Sequence, residues 1–384
     1  MSKGQVWQDR VFRYVDSHSG REVVRLTDYL GHSNHLYFTN PCWIGDRSLV
    51  FTSDRHNQSN LFRCDLDGGA ITQLTDLEGR GRPAGAYCAA TGKHYFFWQR
   101  ELCELDVRTL ELRTIYRVPE GMGTSGEYSP TADGRYVCTG LGERPQAGGP
   151  ARISYAYSGF RDTFLARPRS QVVRIEVATG EAEVLHEERA WIGHVNTSPT
   201  HPEILTFCHE GPWHEVEQRI WGLNVRSGAL WKIRPQEGDN TAIGHEYWFA
   251  DGEHVGYHGH PRSGPGRQIF GCRRWDDSSA VEAEFPFRST HFCSLDADMV
   301  VGDGNAVMAP NSRPFIQLFR REGQTYAGPR ILAYHRSTFN NQHAHPHPRF
   351  TPDGRHVLYT SDLTGYSNMY LVEVGDFDDL PELK

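Results

Sequence analysis

This sequence is notable first for what it lacks. No apolar run approaches the ~18 residues that a membrane-spanning helix needs, so a membrane is not an expected partner. The opening residues, MSKGQVWQDR, contain no apolar stretch and no small-residue cleavage signal, so no secretory leader is expected. The eight cysteines are scattered at positions 42, 64, 88, 103, 138, 208, 272 and 293, and none forms a C-x-x-C pair. Reduced, buried thiols in a cytoplasmic protein are the simplest expectation. There is no basic excess: 40 Lys and Arg stand against 48 Asp and Glu, a net charge of −8. Nucleic acid is therefore not expected as the main partner. Nor will the overall field attract an anion, so any anion site must come from local His and Arg. Helical periodicity is also nearly missing.

What the sequence does have is repetition. At 384 residues, 38% hydrophobic and 12% aromatic, the chain reads as globular. Short β-branched and aromatic runs such as HYFFW, RYVCTG and EILTFC alternate with turns, which points to an all-β fold. DRSLVFTSD at 46–54 matches GRHVLYTSD at 354–362 near the other end of the chain. Seven such units begin near residues 36, 85, 126, 193, 245, 291 and 345, each with room for four strands. This pattern predicts one domain spanning 1–384, a seven-bladed β-propeller. The last unit supplies only three strands, and GREVVRLT at 20–27 matches the fourth strand GGAITQLT at 68–75. Pairing the N-terminal strand with the C-terminal blade would close the ring and remove its open edge.

When the units are aligned on the turn after the first strand, the residue opening that strand reads Gly85, Glu127, His194, His245, His291 and His347 from the second unit onward. Four consecutive units carry histidine there, so these rings should gather at one face. The bland alternative is that they cap loops or fill a channel. The seventh unit adds NNQHAHPHP, in which His345 and His347 lie two apart and share a face of an extended strand, with Gln342 three residues earlier. An H-x-H pair is a common metal-ligand arrangement, because both imidazoles can reach one ion. In antiparallel order, the start of strand one, the end of strand two and the start of strand three share a face. That rule places Arg219, at the end of CHEGPWHEVEQR, on the face of His245, together with His209, His258 and Arg262. A surface salt bridge is the alternative for Arg219.

These residues also carry a resemblance. FCHEGP, the QRIW around Arg219, GHEYW around His245, the stretch from His291 to the VGDG ending at Gly304, and the HPHP after Gln342 occur in the order seen in oligogalacturonate lyases. That family consists of seven-bladed propellers that cleave pectin-derived oligomers. The resemblance implies a divalent metal, most often Mn2+, held by His291, Gln342, His345 and His347. It implies His245 as the base and Arg219 as an assisting cation. It implies β-elimination on a small anionic oligogalacturonide, with the base removing the proton on C5 of a uronate. His194, His209 and Arg161 would contact the substrate. Arg161 belongs to a long loop, 140–170, with Tyr155, Tyr157 and Phe160, and this loop departs from the family pattern. Other readings are a propeller lyase or glycosidase acting on a different uronic-acid glycan, and a non-enzymatic TolB-like binding propeller. Oligomeric state is left open.

Overall fold

The computed structural model describes residues 2–67, 69–143, 159–286, 289–306 and 312–383. Tyr155 and Tyr157 lie outside the described residues. The fold is nearly all β, with many sheets and, among the described residues, a single short α-helix, Phe160–Ala166. No described helix is long and apolar enough to cross a membrane. All eight cysteines are buried and none is disulfide-bonded.

The chain divides into two compact units. The first comprises 1–93, 105–112 and 283–384, and the second 94–104 and 113–282. In the second unit the repeats appear as antiparallel sheets in sequential order. One runs through Met122–Pro130, Tyr136–Glu143, Arg169–Glu176 and Ala182–Arg189. The next runs through Ile192–Thr197, Ile204–His209, Ile220–Asn224 and Leu230–Lys232, and is followed by the repeat that starts with Thr241–Trp248 and His254–Pro261. Consecutive sheets share cores: Cys138 and Val172 pack with Ile192, Leu205 and Phe207, and Ile220 packs with Ile243, Val255 and Tyr257. With both faces covered, the inner strands read as continuous apolar runs rather than alternating ones.

In the first unit, one sheet carries Ser33–His35, Ser48–Ser53, Asn60–Asp65 and Ala70–Gln73. Another carries Arg349–Phe350, His356–Ser361 and Asn368–Glu373. The expected pairing of chain ends is present here: Glu22–Arg25 lies antiparallel on Asn368–Glu373, with Val23 opposite Val372 and Val24 opposite Leu371. Phe51 and Phe62 of the one sheet share a core with Leu358 and Leu371 of the other. Two strands outside the expected set extend these sheets, Val6–Gln8 beside Ala70–Gln73 and Phe12–Val15 beside Glu22–Arg25.

The repeat extends to hydrogen bonds. Within the second unit, the Thr131 hydroxyl donates to Asp133 (2.6 Å) and accepts from the Tyr136 amide (3.2 Å). Within the first, Thr351 does the same with Asp353 (2.6 Å) and the His356 amide (3.1 Å). Gly134 and Gly354 both take φ of 69°, a left-handed turn position that suits glycine.

Packing in the first unit also keeps two buried imidazoles neutral. His335 accepts from the Ser337 amide at Nδ1 (2.9 Å) and so donates from Nε2 to the Asp303 carbonyl (2.9 Å). Burial pulls the pKa of His335 and of His35 down to about 4 from 6.5. The unfolded chain therefore binds protons that the folded chain refuses between pH 6.5 and 4. Stability is intact above pH 6.5 and is lost as pH falls toward 4, by up to about 1.4 kcal/mol per pH unit for each histidine. Urea unfolding at pH 7, 6 and 5 should show this decline, and His335→Asn should flatten it.

Candidate functional site

The first unit holds a compact nitrogen cluster. Ring nitrogens of His291, His345 and His347 all lie within 4.8 Å of one another, and all three residues are buried. The Gln342 amide approaches His347 Nε2 at 3.3 Å. His291 precedes the strand Phe292–Ser294, while Gln342 lies in a single 3-10 turn, Gln342–Ala344, from which the chain continues extended through His345. The Asn341 side chain caps that turn by accepting from the amides of His343 and Ala344. Thus the four residues grouped from the sequence are brought together.

Asp303, fully buried, orients the cluster. One carboxylate oxygen accepts from His291 Nδ1 (2.6 Å) and the other from the His291 amide (2.8 Å). Nδ1 thereby carries the proton and Nε2 keeps its lone pair, the arrangement that second-layer carboxylates impose on metal-binding histidines. Burial and the neighbouring His291 lower the His345 pKa to about 4, so that ring is neutral near pH 7. Tyr37 and Phe38 wall the cluster, with ring centroids 5.0 and 6.2 Å from His347. Three imidazoles and an amide suit a divalent transition metal. The residues present therefore fit the implied ion.

The second unit holds a different arrangement. His245 Nδ1 lies 2.9 Å from His258 Nε2. His245 is half-buried, whereas His258 is 7% exposed. Trp213 packs edge-on against both rings and stacks on His260. The indole lies so close to the backbone of Gly244 that a Cβ there would meet it at 2.3 Å.

Arg219 is 1% exposed. Its guanidinium donates to Glu210 (2.6 Å) and Glu246 (3.2 Å). His194 joins the same network, 3.3 Å from Glu210. Burial disfavours charge on His194, but Glu210 and Glu246 outweigh it and its pKa is raised. Burial likewise opposes charge on Glu210, yet Arg219 and His194 hold its pKa well down. The four groups form a buried, charge-compensated network. His194, Cys208 and Glu210 could in principle hold a cation, but the Arg219 guanidinium already fills that electrostatic role.

The remaining residues expected to contact substrate are placed as follows. His209 bonds Glu188 (2.8 Å) and lines a cavity of about 940 Å³ together with Trp191, Trp221 and Arg262. Arg161, on the short helix, makes a two-pronged ion pair with Glu215 (2.8 and 3.1 Å), and its side chain is 61% exposed.

A backbone feature recurs at three of the four column histidines. His194, His245 and His347 have φ of 48°, 51° and 43°, a left-handed conformation unusual for a residue with a side chain. In the second unit these positions coincide with β-bulges, between Gly193 and Asn196 and between Gly244 and Tyr247. The bulge of the preceding repeat falls between Ser125 and Tyr128, so its left-handed residue is Gly126 (φ 75°). The position aligned with His194 is thus Gly126 rather than Glu127, and the sequence register was one residue off there. A side chain at 126 would meet the His194 amide at 2.6 Å.

Sequence reasoning missed Asp303, Glu210, Glu246, Trp213 and the pairing role of His258. Asp303 lies inside the VGDG segment, and Glu210 and Trp213 lie inside CHEGPW. Only their positions within those segments signalled them.

A model of the family described as oligogalacturonate lyase matches residues 1–377. An oligogalacturonide lyase of Pectobacterium atrosepticum is 29% identical over 401 residues, covering 98% of this chain and 99% of its own. An oligogalacturonate lyase of Dickeya dadantii is 29% identical over 398 residues with the same coverage. The structure of an oligogalacturonate lyase in complex with manganese superposes with a TM-score of 0.86 at 26% identity, covering 100% of this chain and 99% of the other. The oligogalacturonate lyase of Vibrio parahaemolyticus shares the fold, with a TM-score of 0.86 at 24% identity over 98% of this chain and 99% of its own. This chain belongs to the oligogalacturonate lyase family and is an enzyme of the lyase type.

Proposed function

We propose that this protein is a metal-dependent lyase that cleaves short oligogalacturonides by β-elimination. The observation that carries the reading is the convergence of three buried imidazoles and Gln342, with His291 oriented by Asp303. The names of the relatives support the substrate class, and the relative crystallised with manganese supports Mn2+ as the metal. The ordered antiparallel sheets and the pairing of chain ends support a seven-bladed propeller.

His291, Gln342, His345 and His347 would hold the ion. Bound there, a divalent cation supplies Lewis-acid polarisation of a uronate carboxylate, which acidifies the proton on C5. His245 is the proposed base. If its Nδ1–H donates to His258 Nε2, its own Nε2 keeps a lone pair to accept the C5 proton. The C5–H electron pair becomes the C4–C5 double bond, and the C4–O4 pair departs with the leaving sugar, whose oxygen then takes up a proton. No water enters the products. His258 is a positioning residue that sets the His245 tautomer, and Trp213 limits the motion of both rings.

For Arg219 the ion pairs favour a positioning role. Its charge is shared with Glu210 and Glu246, so it steadies Glu246 and the strained backbone at His245. Direct pairing with a substrate carboxylate would require a guanidinium edge that these glutamates now occupy. His194 belongs to the same network, while His209 and Arg161 remain candidates for contact with the substrate.

The test of this reading is incubation with di- and trigalacturonate, with and without chelator. Product masses should sum to the substrate mass with no added water, and chelator should stop the reaction. Hydrolysed products would overturn it. His345→Ala should lose both metal and activity, measured by metal analysis and turnover. His245→Ala should keep the metal and lose roughly 10²–10⁴-fold in turnover. His258→Ala should lower turnover by less and shift its pH profile, and His258→Gln, which restores an acceptor, should recover part of the loss.

A further inference from the structure

The first unit also contains a groove of about 310 Å³ beside the Gln342–Ala344 turn. Arg82 reaches into it and is bonded by Nε (3.0 Å) and Nη2 (2.6 Å) to the Thr52 hydroxyl. Among the described residues it forms no ion pair with a carboxylate. Three other deeply placed arginines are balanced by acids, Arg55 by Asp9, Arg219 by Glu210 and Glu246, Arg234 by Asp239 and Glu282, while Arg349 is held by the carbonyls of Tyr37 and Asn40. Burial depresses the Arg82 pKa to about 10, with Asp54 offsetting only part of that. A cation so placed gains from an incoming anion.

The rest of the lining suits a sugar acid. Asn34, Asn341, Ser53, Ser59 and Ser367 supply amides and hydroxyls. Among the described residues the only acid in the lining is Asp54, one of whose oxygens accepts the His32 amide (2.5 Å), and His32 and His343 are the other titratable groups beside Arg82. Hydrogen bonds tie the groove to the ligand turn. Thr52 donates to the Asn34 carbonyl (3.2 Å), and Asn34 Nδ2 donates to the His343 carbonyl (2.7 Å). His343 is flanked by Gln342, so the groove and the cluster share the 341–343 backbone. In this turn, 341 and 343 line the groove while 342 joins the histidines.

We propose that the groove at Arg82 is an anion subsite that binds the carboxylate of a second uronosyl residue, next to the residue held at His291, His345 and His347. This rests on the function proposed above. Guanidinium N–H groups not engaged by Thr52 make the charged contact, and the amides and hydroxyls receive the sugar hydroxyls. The subsite explains why a short acidic oligomer, rather than a single uronate, would be the preferred ligand.

The test is affinity for trigalacturonate and for its fully methyl-esterified form, measured by calorimetry on metal-loaded protein in a His245→Ala background. Arg82→Gln should weaken binding of the acid by roughly tenfold or more and leave binding of the ester unchanged. Arg82→Lys, which keeps the charge but not the planar fork, should fall between. Equal affinity of Arg82 and Arg82→Gln proteins for the acid would overturn the subsite, as would equal losses for acid and ester. Should the His245→Ala background still cleave, the proposed base falls, and the ratio of KM values carries the same comparison. If the parent leaves trigalacturonate intact but binds it through Arg82, the lyase reading fails and the subsite stands. If the parent cleaves it and Arg82→Gln binds it equally well, the subsite alone fails.

Discussion

The ladder between Glu22–Arg25 and Asn368–Glu373 is the constraint on which the first unit depends. It seats the first repeat beside the last, although they are more than three hundred positions apart in the chain. Tyr37 and Phe38 can then wall the rings of His291 and His347. The Asn34 side chain can hold the turn that presents Gln342, and His35 can reach the Pro346 carbonyl. Without this pairing, the ligand turn would lose one of its walls. It also gives each of the two end segments a partner, which removes edges that would otherwise invite association.

Backbone strain is present at three residues of the candidate site. Left-handed φ values at His194, His245 and His347 cost on the order of 1–3 kcal/mol each, and they persist because the surrounding sheet fixes them. In the second unit, the bulges at these positions take the residue out of the ladder and re-aim its side chain. The glutamate that follows His245 is anchored by buried Arg219. A charged group so deeply buried is tolerated only when compensated, and here two carboxylates compensate the guanidinium. Rigidity at the proposed base therefore comes from an ion network beneath it, while the imidazole stays half-exposed.

Three histidine arrangements illustrate how context sets the role of one side chain. Asp303 on Nδ1 makes His291 a nitrogen donor through Nε2. A second imidazole on Nδ1 makes His245 a candidate base. A backbone amide on Nδ1 and a carbonyl on Nε2 make His335 a neutral strut. The same ring is suited to the proposed ligand role, to the proposed base role or to a structural post according to its hydrogen-bond partners.

The all-β class, the repeats and the joining of chain ends were legible in the sequence, because strand periodicity and turn motifs such as TADG and TPDG are local signals. The H-x-H spacing of His345 and His347 and the register of His291 hinted at a shared face, while Gln342 joined them as a ligand only through the family resemblance. What one repeat cannot report is which residue of another lies against it. Glu246 on Arg219 is such a contact, and even within a repeat the pairing of Asp303 with His291, Glu210 with Arg219 and His258 with His245 depends on which positions neighbouring strands set side by side. The one-residue error at Glu127 has the same origin, because a bulge shifts register without leaving a residue pattern that marks it. Local backbone preferences determined the elements, and the packing of one sheet against the next decided the charge and protonation of the side chains between them.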